Sequence, residues 1–221
     1  MRGGGRVNES CRSQLVARSL FAPHDAWMTD LPRLILASAD PDERDDLRAL
    51  LADAPVECFD PEIPPDSPKG GDYASRATHR ARTCAEATGE MAIALCAGLE
   101  VYPLDLQPGP LTENFHEGVS DQERCQALLA RLAATPIGQR ITVGRAAAAL
   151  AIPGDPNVAV SASIIECEIP MESRGEGGYG LDAVTQILNG KTLAELDKGD
   201  RERLGHRGKA VKPLIKRLDQ A

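Results

Sequence analysis

Leu34-Ile35-Leu36-Ala37-Ser38-Ala39-Asp40-Pro41 carries the chain from a strand into a helix within eight residues. The apolar run Leu34–Ser38 is short and reads as a buried first strand. Asp40 stands where a helix N-cap is wanted and Pro41 at the first helical position. The acids that follow suit the positive end of a helix dipole. Leu47, Leu50 and Leu51 then give the helix one apolar stripe. Val56–Phe59 reads as a second strand, Pro61–Gly71 as a Pro/Gly-rich loop, and Tyr73 to Thr88 as an Ala/Arg-rich helix. Strand, helix, strand, helix is the opening of an α/β domain.

The remainder fits that frame. Met91–Ala97 is apolar again and is followed by Gly98, then by partial alternation over Leu99–Leu106. This is one strand, or two broken at the glycine. Gln107–Val119 is a loop. Ser120-x-x-Glu123 is a capping box, and Leu128, Leu129 and Leu132 face the core from the helix it opens. Ile141–Ile152 and Val158–Ile169, split by Pro153-Gly154-Asp155-Pro156, read as a hairpin of long strands, with helix as the alternative for the alanine run. Thr192-x-x-Glu195 caps a short helix. The last helix carries Val211, Leu214, Ile215 and Leu218 at i, i+3, i+4 and i+7, with Pro213 placed to bend it. The order predicts an α/β (α+β) fold: a mixed β-sheet flanked by helices.

Composition bounds the function. The chain has 221 residues, 42% hydrophobic and 26% charged, enough for one medium domain with a buried core. Aromatics make up only 3%, so Ala, Leu, Val and Ile must fill the interior. A net charge of −8 argues against a general nucleic-acid binder, and no apolar run is long enough to span a bilayer. The charge is uneven: residues 191–221 hold nine Lys/Arg against five acids, so a basic end on an acidic body can focus an anionic ligand. The six cysteines include no C-x-x-C pair and read as reduced thiols of a cytoplasmic protein. Residues 1–30 read as a disordered or non-native tail, with Met28 as an alternative start, and residues 31–221 as the domain.

The chemistry-bearing residues concentrate near the C-terminus. Gly177-Gly178-Tyr179-Gly180-Leu181-Asp182 is a tight turn bearing a carboxylate, and Gly205-His206-Arg207-Gly208 opens a basic amphipathic helix. An Arg fork suits phosphate or carbonyl oxygens. His can donate or accept, Asp182 can accept from a base N–H, and a helix N-terminus offers its own donors to an anion. The bland alternatives are a flexible turn and a helix cap.

These stretches, with Gly190-Lys191-Thr192-Leu193-Ala194-Glu195, resemble the inosine triphosphate pyrophosphatase family, the noncanonical purine NTP pyrophosphatases. The family patterns there are G-F-G-Y-D-P, G-K-T-x-A-E and S-H-R-G-x-A. The resemblance is specific over about 45 C-terminal residues and extends weakly from Leu34 onward. It implies an elongated α/β homodimer with a cleft between two lobes. It also implies Mg²⁺-dependent hydrolysis of ITP, dITP and XTP between the α and β phosphates. By position it assigns substrate binding to Ser38, Tyr179, Gly180, Leu181, Asp182, Arg201, His206 and Arg207. Arg201 stands for the usual lysine, Gly205 for a serine, and Ala183 for the proline after the aspartate.

The N-terminal half departs from that family. Its T-G-N-x-x-K becomes Ser38-Ala39-Asp40-Pro41-Asp42-Glu43, so the phosphate-side lysine is an acid. Its E-N-A aligns with Ser75-Arg76-Ala77, removing the metal-binding glutamate. Its D-D-S-G-L aligns with Leu95-Cys96-Ala97-Gly98-Leu99, and the position of the catalytic base is Cys96. A Mg²⁺ hydrolase needs hard oxygen ligands; Asp40, Glu43, Asp72 or Glu100 would have to supply them. The expectation is a purine-nucleotide protein of the cytoplasm whose hydrolysis is weak or lost, with Mg²⁺ its cofactor if it is active. The alternatives are an active enzyme with rearranged ligands, a partner-binding paralogue, and a purely structural role for the C-terminal motifs.

Overall fold

The computed structural model describes residues 31–63, 70–115 and 118–218; the tail expected over residues 1–30 lies outside them. Seven strands form one mixed sheet. Strand β1 (Arg33–Leu36) lies parallel to both β2 (Glu57–Phe59) and β3 (Met91–Val101). Antiparallel to β3 run β5 (Ile141–Ala151) and the two-residue β4 (Gln107–Pro108); β6 (Ala159–Glu168) and β7 (Gln186–Ile187) continue the sheet. The path order is β2-β1-β3-β5-β6-β7. β3 runs unbroken through Gly98, which settles the one-strand reading.

The sequence signals act locally as expected. Helix α1 (Pro41–Leu50) is capped by the Asp40 carboxylate, which accepts from the Asp42 amide at 2.9 Å. Helix α2 (Tyr73–Thr88) is capped by Asp72 and ends in left-handed Gly89. The Ser120–Glu123 box opens α3 (Asp121–Arg131), and the Thr192–Glu195 box opens a single 3₁₀ turn over Leu193–Glu195. Helix α5 (His206–Leu218) continues through Pro213, whose ring removes the donor that would bond the Lys209 carbonyl.

The alanine run is strand because it is central and covered on both faces. Ala146 and Ala148 face Leu36, Leu47, Ile93, Val211 and Leu214, under α1 and α5. Ala147 and Ala149 face Ala77, Ala81 and Cys84 of α2. Small side chains let helices approach both faces, and packing overrides the helical preference of alanine. Beyond Gly98 the strands enter a second core, where Leu99 and Val101 meet Leu128, Leu132 and Val184. Each buried Leu or Val adds about 1.5–3 kcal/mol relative to exposure. Two lobes therefore share β3, with a cleft opening where the strand passes between them. Among the described residues, no helix is long and apolar enough to cross a membrane.

Candidate functional site

The cleft, narrow and partly open to solvent, is bounded by Asp40 and Glu43 of the first lobe, Ala97–Leu99 of β3, and Tyr179–Asp182. Arg207 is its hub. Its Nη1 donates to Asp182 Oδ1 at 3.0 Å, its Nη2 to Asp182 Oδ2 at 2.6 Å, and its Nε to Asp46 Oδ2 at 3.0 Å. Its guanidinium lies over the Tyr179 ring, 4.3 Å from the centroid. Burial alone would lower the Arg207 pKa; the carboxylates of Asp182 and Asp46 outweigh it and hold the group charged. Burial likewise raises the Tyr179 pKa, so its phenol stays neutral.

Glycines make the geometry possible. Gly178 has φ +73°, and a Cβ there would collide with the Asp182 carboxylate. At Gly208 a Cβ would collide with the carbonyl of Glu202, in the helix α4 (Lys198–Leu204) that precedes the site. His206 is 3% exposed, and its Nδ1 has no hydrogen-bond partner. Burial, reinforced by the Arg207 charge, lowers its pKa to about 3, so the imidazole is neutral. A neutral ring with a vacant nitrogen beside the cleft can donate to or accept from a ligand according to tautomer.

The expected binding residues do not all meet there. Tyr179, Gly180, Leu181, Asp182, His206 and Arg207 line the cleft. Ser38 is buried at the end of β1, where its Oγ accepts from the Asp40 amide at 3.1 Å. Arg201 borders a smaller adjoining depression with Leu193 and Glu202, and donates to the Leu196 carbonyl at 3.2 Å.

The model of the Ham1 family matches residues 34–217. The chain belongs to the Ham1 family. A dITP/XTP pyrophosphatase of Symbiobacterium thermophilum is 30% identical over 84% of this chain and 94% of its own length. One from Gloeobacter violaceus is 34% identical over 82% and 92%. The solved HAM1 protein of Coxiella burnetii superposes with TM-score 0.74 at 28% identity, covering 86% of this chain and all of its own.

The metal implied by the family resemblance finds no suitable donors at the aligned positions. Leu95 is fully buried among apolar side chains under α1 and α5. Cys96 is buried against α2, with Sγ 3.8 Å from the Pro110 carbonyl. Ser75, exposed in the first turn of α2, stands where the family carries glutamate. A thiol, an alkyl chain and a single serine hydroxyl do not make a Mg²⁺ site. The four acids that would have to replace them are dispersed. Asp40 and Glu43 border the cleft, whereas Asp72 and Glu100 border a separate groove, with Glu100 bound to Arg145 at 2.6 Å. No group of three or more His, Cys, Asp or Glu suited to a metal occurs among the described residues.

Three residues at or behind the cleft escaped the sequence reading. Asp46 braces Arg207 from α1. Arg124 reaches the cleft from α3. Arg80, 2% exposed, donates to Glu43 Oε1 at 2.7 Å and to the carbonyls of Ala37 and Leu95. Arg80 had left a signal: with Arg76 it occupies the i, i+4 face of α2 otherwise filled by Ala77, Ala81 and Cys84.

Proposed function

We propose that this Ham1-family chain is a noncanonical purine NTP pyrophosphatase-like protein that recognises a purine base in the cleft, while its hydrolysis of the α–β phosphoanhydride is weak or lost. The observation that carries the reading is the Arg207 hub: Tyr179, Asp182, His206 and Arg207 stand together on one cleft wall. The relatives named dITP/XTP pyrophosphatases support the purine class.

Each side chain has a role in this reading. Tyr179 offers a ring face to a base, backed by the Arg207 guanidinium. Arg207 keeps N–H donors beyond those used by Asp182 and Asp46, and these suit a purine carbonyl oxygen. The neutral His206 adds one directional hydrogen bond, donated or accepted according to tautomer. Leu181 and Gly180 shape the wall. Arg201 acts through the Gly177–Leu196 backbone rather than on the ligand. The loss of hydrolysis rests on Leu95, Cys96 and Ser75, so no metal-borne step is assigned. A homodimeric state and a cytoplasmic location belong to the same proposal; light scattering coupled to gel filtration tests the first.

The test of the function is direct. The full chain is incubated with ITP, dITP and XTP in Mg²⁺ and pyrophosphate release is followed. Turnover far below the usual enzymatic range of about 1–10³ s⁻¹ is expected. Turnover within that range overturns the loss of hydrolysis. Calorimetry with inosine-based ligands is expected to show binding that Arg207→Ala abolishes, and no heat with any of them overturns the base-binding reading.

A further inference from the structure

The phosphate side of the cleft is built for little negative charge. Asp40 and Glu43 face it from the first turn of α1. Asp42 stands beside them: burial raises its carboxyl pKa, and the nearby charges of Asp40, Asp121 and Asp45 raise it further. The cations at hand are committed. Arg80 is bound to Glu43 and to two carbonyls behind the wall, and Arg207 to Asp182 and Asp46. Arg44, on α1, donates to the Ser38 and Ala39 carbonyls and pairs with Asp60. Arg124 differs. Its Nη1 meets Asp121 at 3.2 Å, but its Nε is shielded and has no hydrogen-bond partner, at the border of the same cleft as Tyr179 and Gly180.

We infer that the ligand of this cleft is a purine nucleoside monophosphate bound without a divalent cation, its single phosphate facing Arg124. This rests on the base-binding reading above and narrows its ligand. One phosphate, carrying about −2 at neutral pH, matches one guanidinium held by a single carboxylate. A triphosphate chain extended past it meets Asp40, whose charge repels it, and the Arg80–Glu43 pair, whose guanidinium is already committed. The buried Arg80–Glu43 pair is a fixed cation and anion of the protein itself. It ties the end of β1 to β3 and α2, and leaves no oxygen cage for a metal to bridge to phosphates.

Calorimetric titration of the full chain with inosine, IMP and ITP, each in Mg²⁺ and in EDTA, tests this. IMP is expected to bind tightest, with the same Kd in both buffers, and ITP at least about tenfold more weakly in EDTA. Arg124→Gln is expected to bring the IMP affinity down to that of inosine. Asp40→Asn keeps a helix cap while removing one charge, and is expected to narrow the gap between ITP and IMP. ITP binding tightest in Mg²⁺, IMP binding that vanishes in EDTA, or an unaltered IMP-to-inosine ratio in Arg124→Gln overturns the inference and leaves the base-binding reading standing. Failure of all three ligands to bind removes both.

Discussion

Arg207 and Asp182 face each other fork to fork, with two parallel hydrogen bonds of 3.0 and 2.6 Å and both side chains almost wholly buried. A bidentate buried pair costs much to break one-sidedly, because the remaining charge stays desolvated. Asp182→Ala is therefore expected to lower stability by about 3–5 kcal/mol, read from urea denaturation. Arg207→Lys keeps a charge but cannot serve Asp182 and Asp46 in one plane. It is expected to lose both stability and ligand affinity, and full retention of either refutes the fork as the organising contact.

His206 gives the protein an acid sensitivity with a defined window. Its folded pKa, about 3, lies below the ordinary imidazole value of 6.5. Above pH 6.5 both folded and unfolded states hold the neutral ring, and nothing is lost. As pH falls from 6.5 toward 3 the unfolded chain takes up a proton that the folded one refuses. Stability then drops by up to about 1.4 kcal/mol per pH unit from this group. The difference between the parent and His206→Gln, followed by thermal melting from pH 8 to pH 4, should show the parent steeper over that interval. Parallel curves would mean that the imidazole is not held neutral.

Local signals were read well from the sequence. The caps at Asp40, Ser120 and Thr192 and the Ala/Arg helix from Tyr73 to Thr88 all depend on neighbours within four residues. The Ile141–Ala151 and Ala159–Glu168 hairpin was legible from its Pro-Gly-Asp-Pro turn and β-branched ends. What escaped depends on distant partners. Asp46 looked like one acid in the run Asp42–Asp46, yet it meets Arg207 161 residues away. Arg80 was one arginine among several in an Ala/Arg-rich helix, yet it is buried against Glu43. Glu43 read as an acid in the place of a phosphate-side lysine, and the guanidinium that pairs with it lies on another helix. Ser38 and Arg201 matched a motif by position, but the backbone turned them toward main-chain partners instead.

Gly178 tests how tightly the turn is specified. A Cβ at this position would meet the Asp182 carboxylate, and its φ of +73° strains any L side chain. Gly178→Ala is expected to cost about 1–3 kcal/mol through forced repacking. It should also weaken purine binding, since Asp182 must move and carry Arg207 with it. Gly180→Ala is the control: its φ is also positive, but a Cβ there meets open space. Equal losses of stability in the two variants would show strain alone, rather than displacement of Asp182, to be at work.

Restoring the family's acids cannot simply restore a metal site. Leu95 is 0% exposed and packs with Leu36, Leu47 and Leu214 between the sheet and its covering helices. A carboxylate placed there loses its hydration with no cation to repay the cost. Arg80 is the nearby cation, but it is already tied to Glu43 and to the Leu95 carbonyl itself. The double variant Leu95→Asp/Cys96→Asp is expected to lose at least about 3 kcal/mol of stability and to release no pyrophosphate from ITP in Mg²⁺. Adding Arg80→Met and Ser75→Glu to it removes one buried guanidinium and supplies a third carboxylate on α2. A Mg²⁺-dependent rise in melting temperature is expected only in that fourfold variant. The same rise in the double variant would mean that the local packing tolerates a metal cage which the native side chains merely fail to provide.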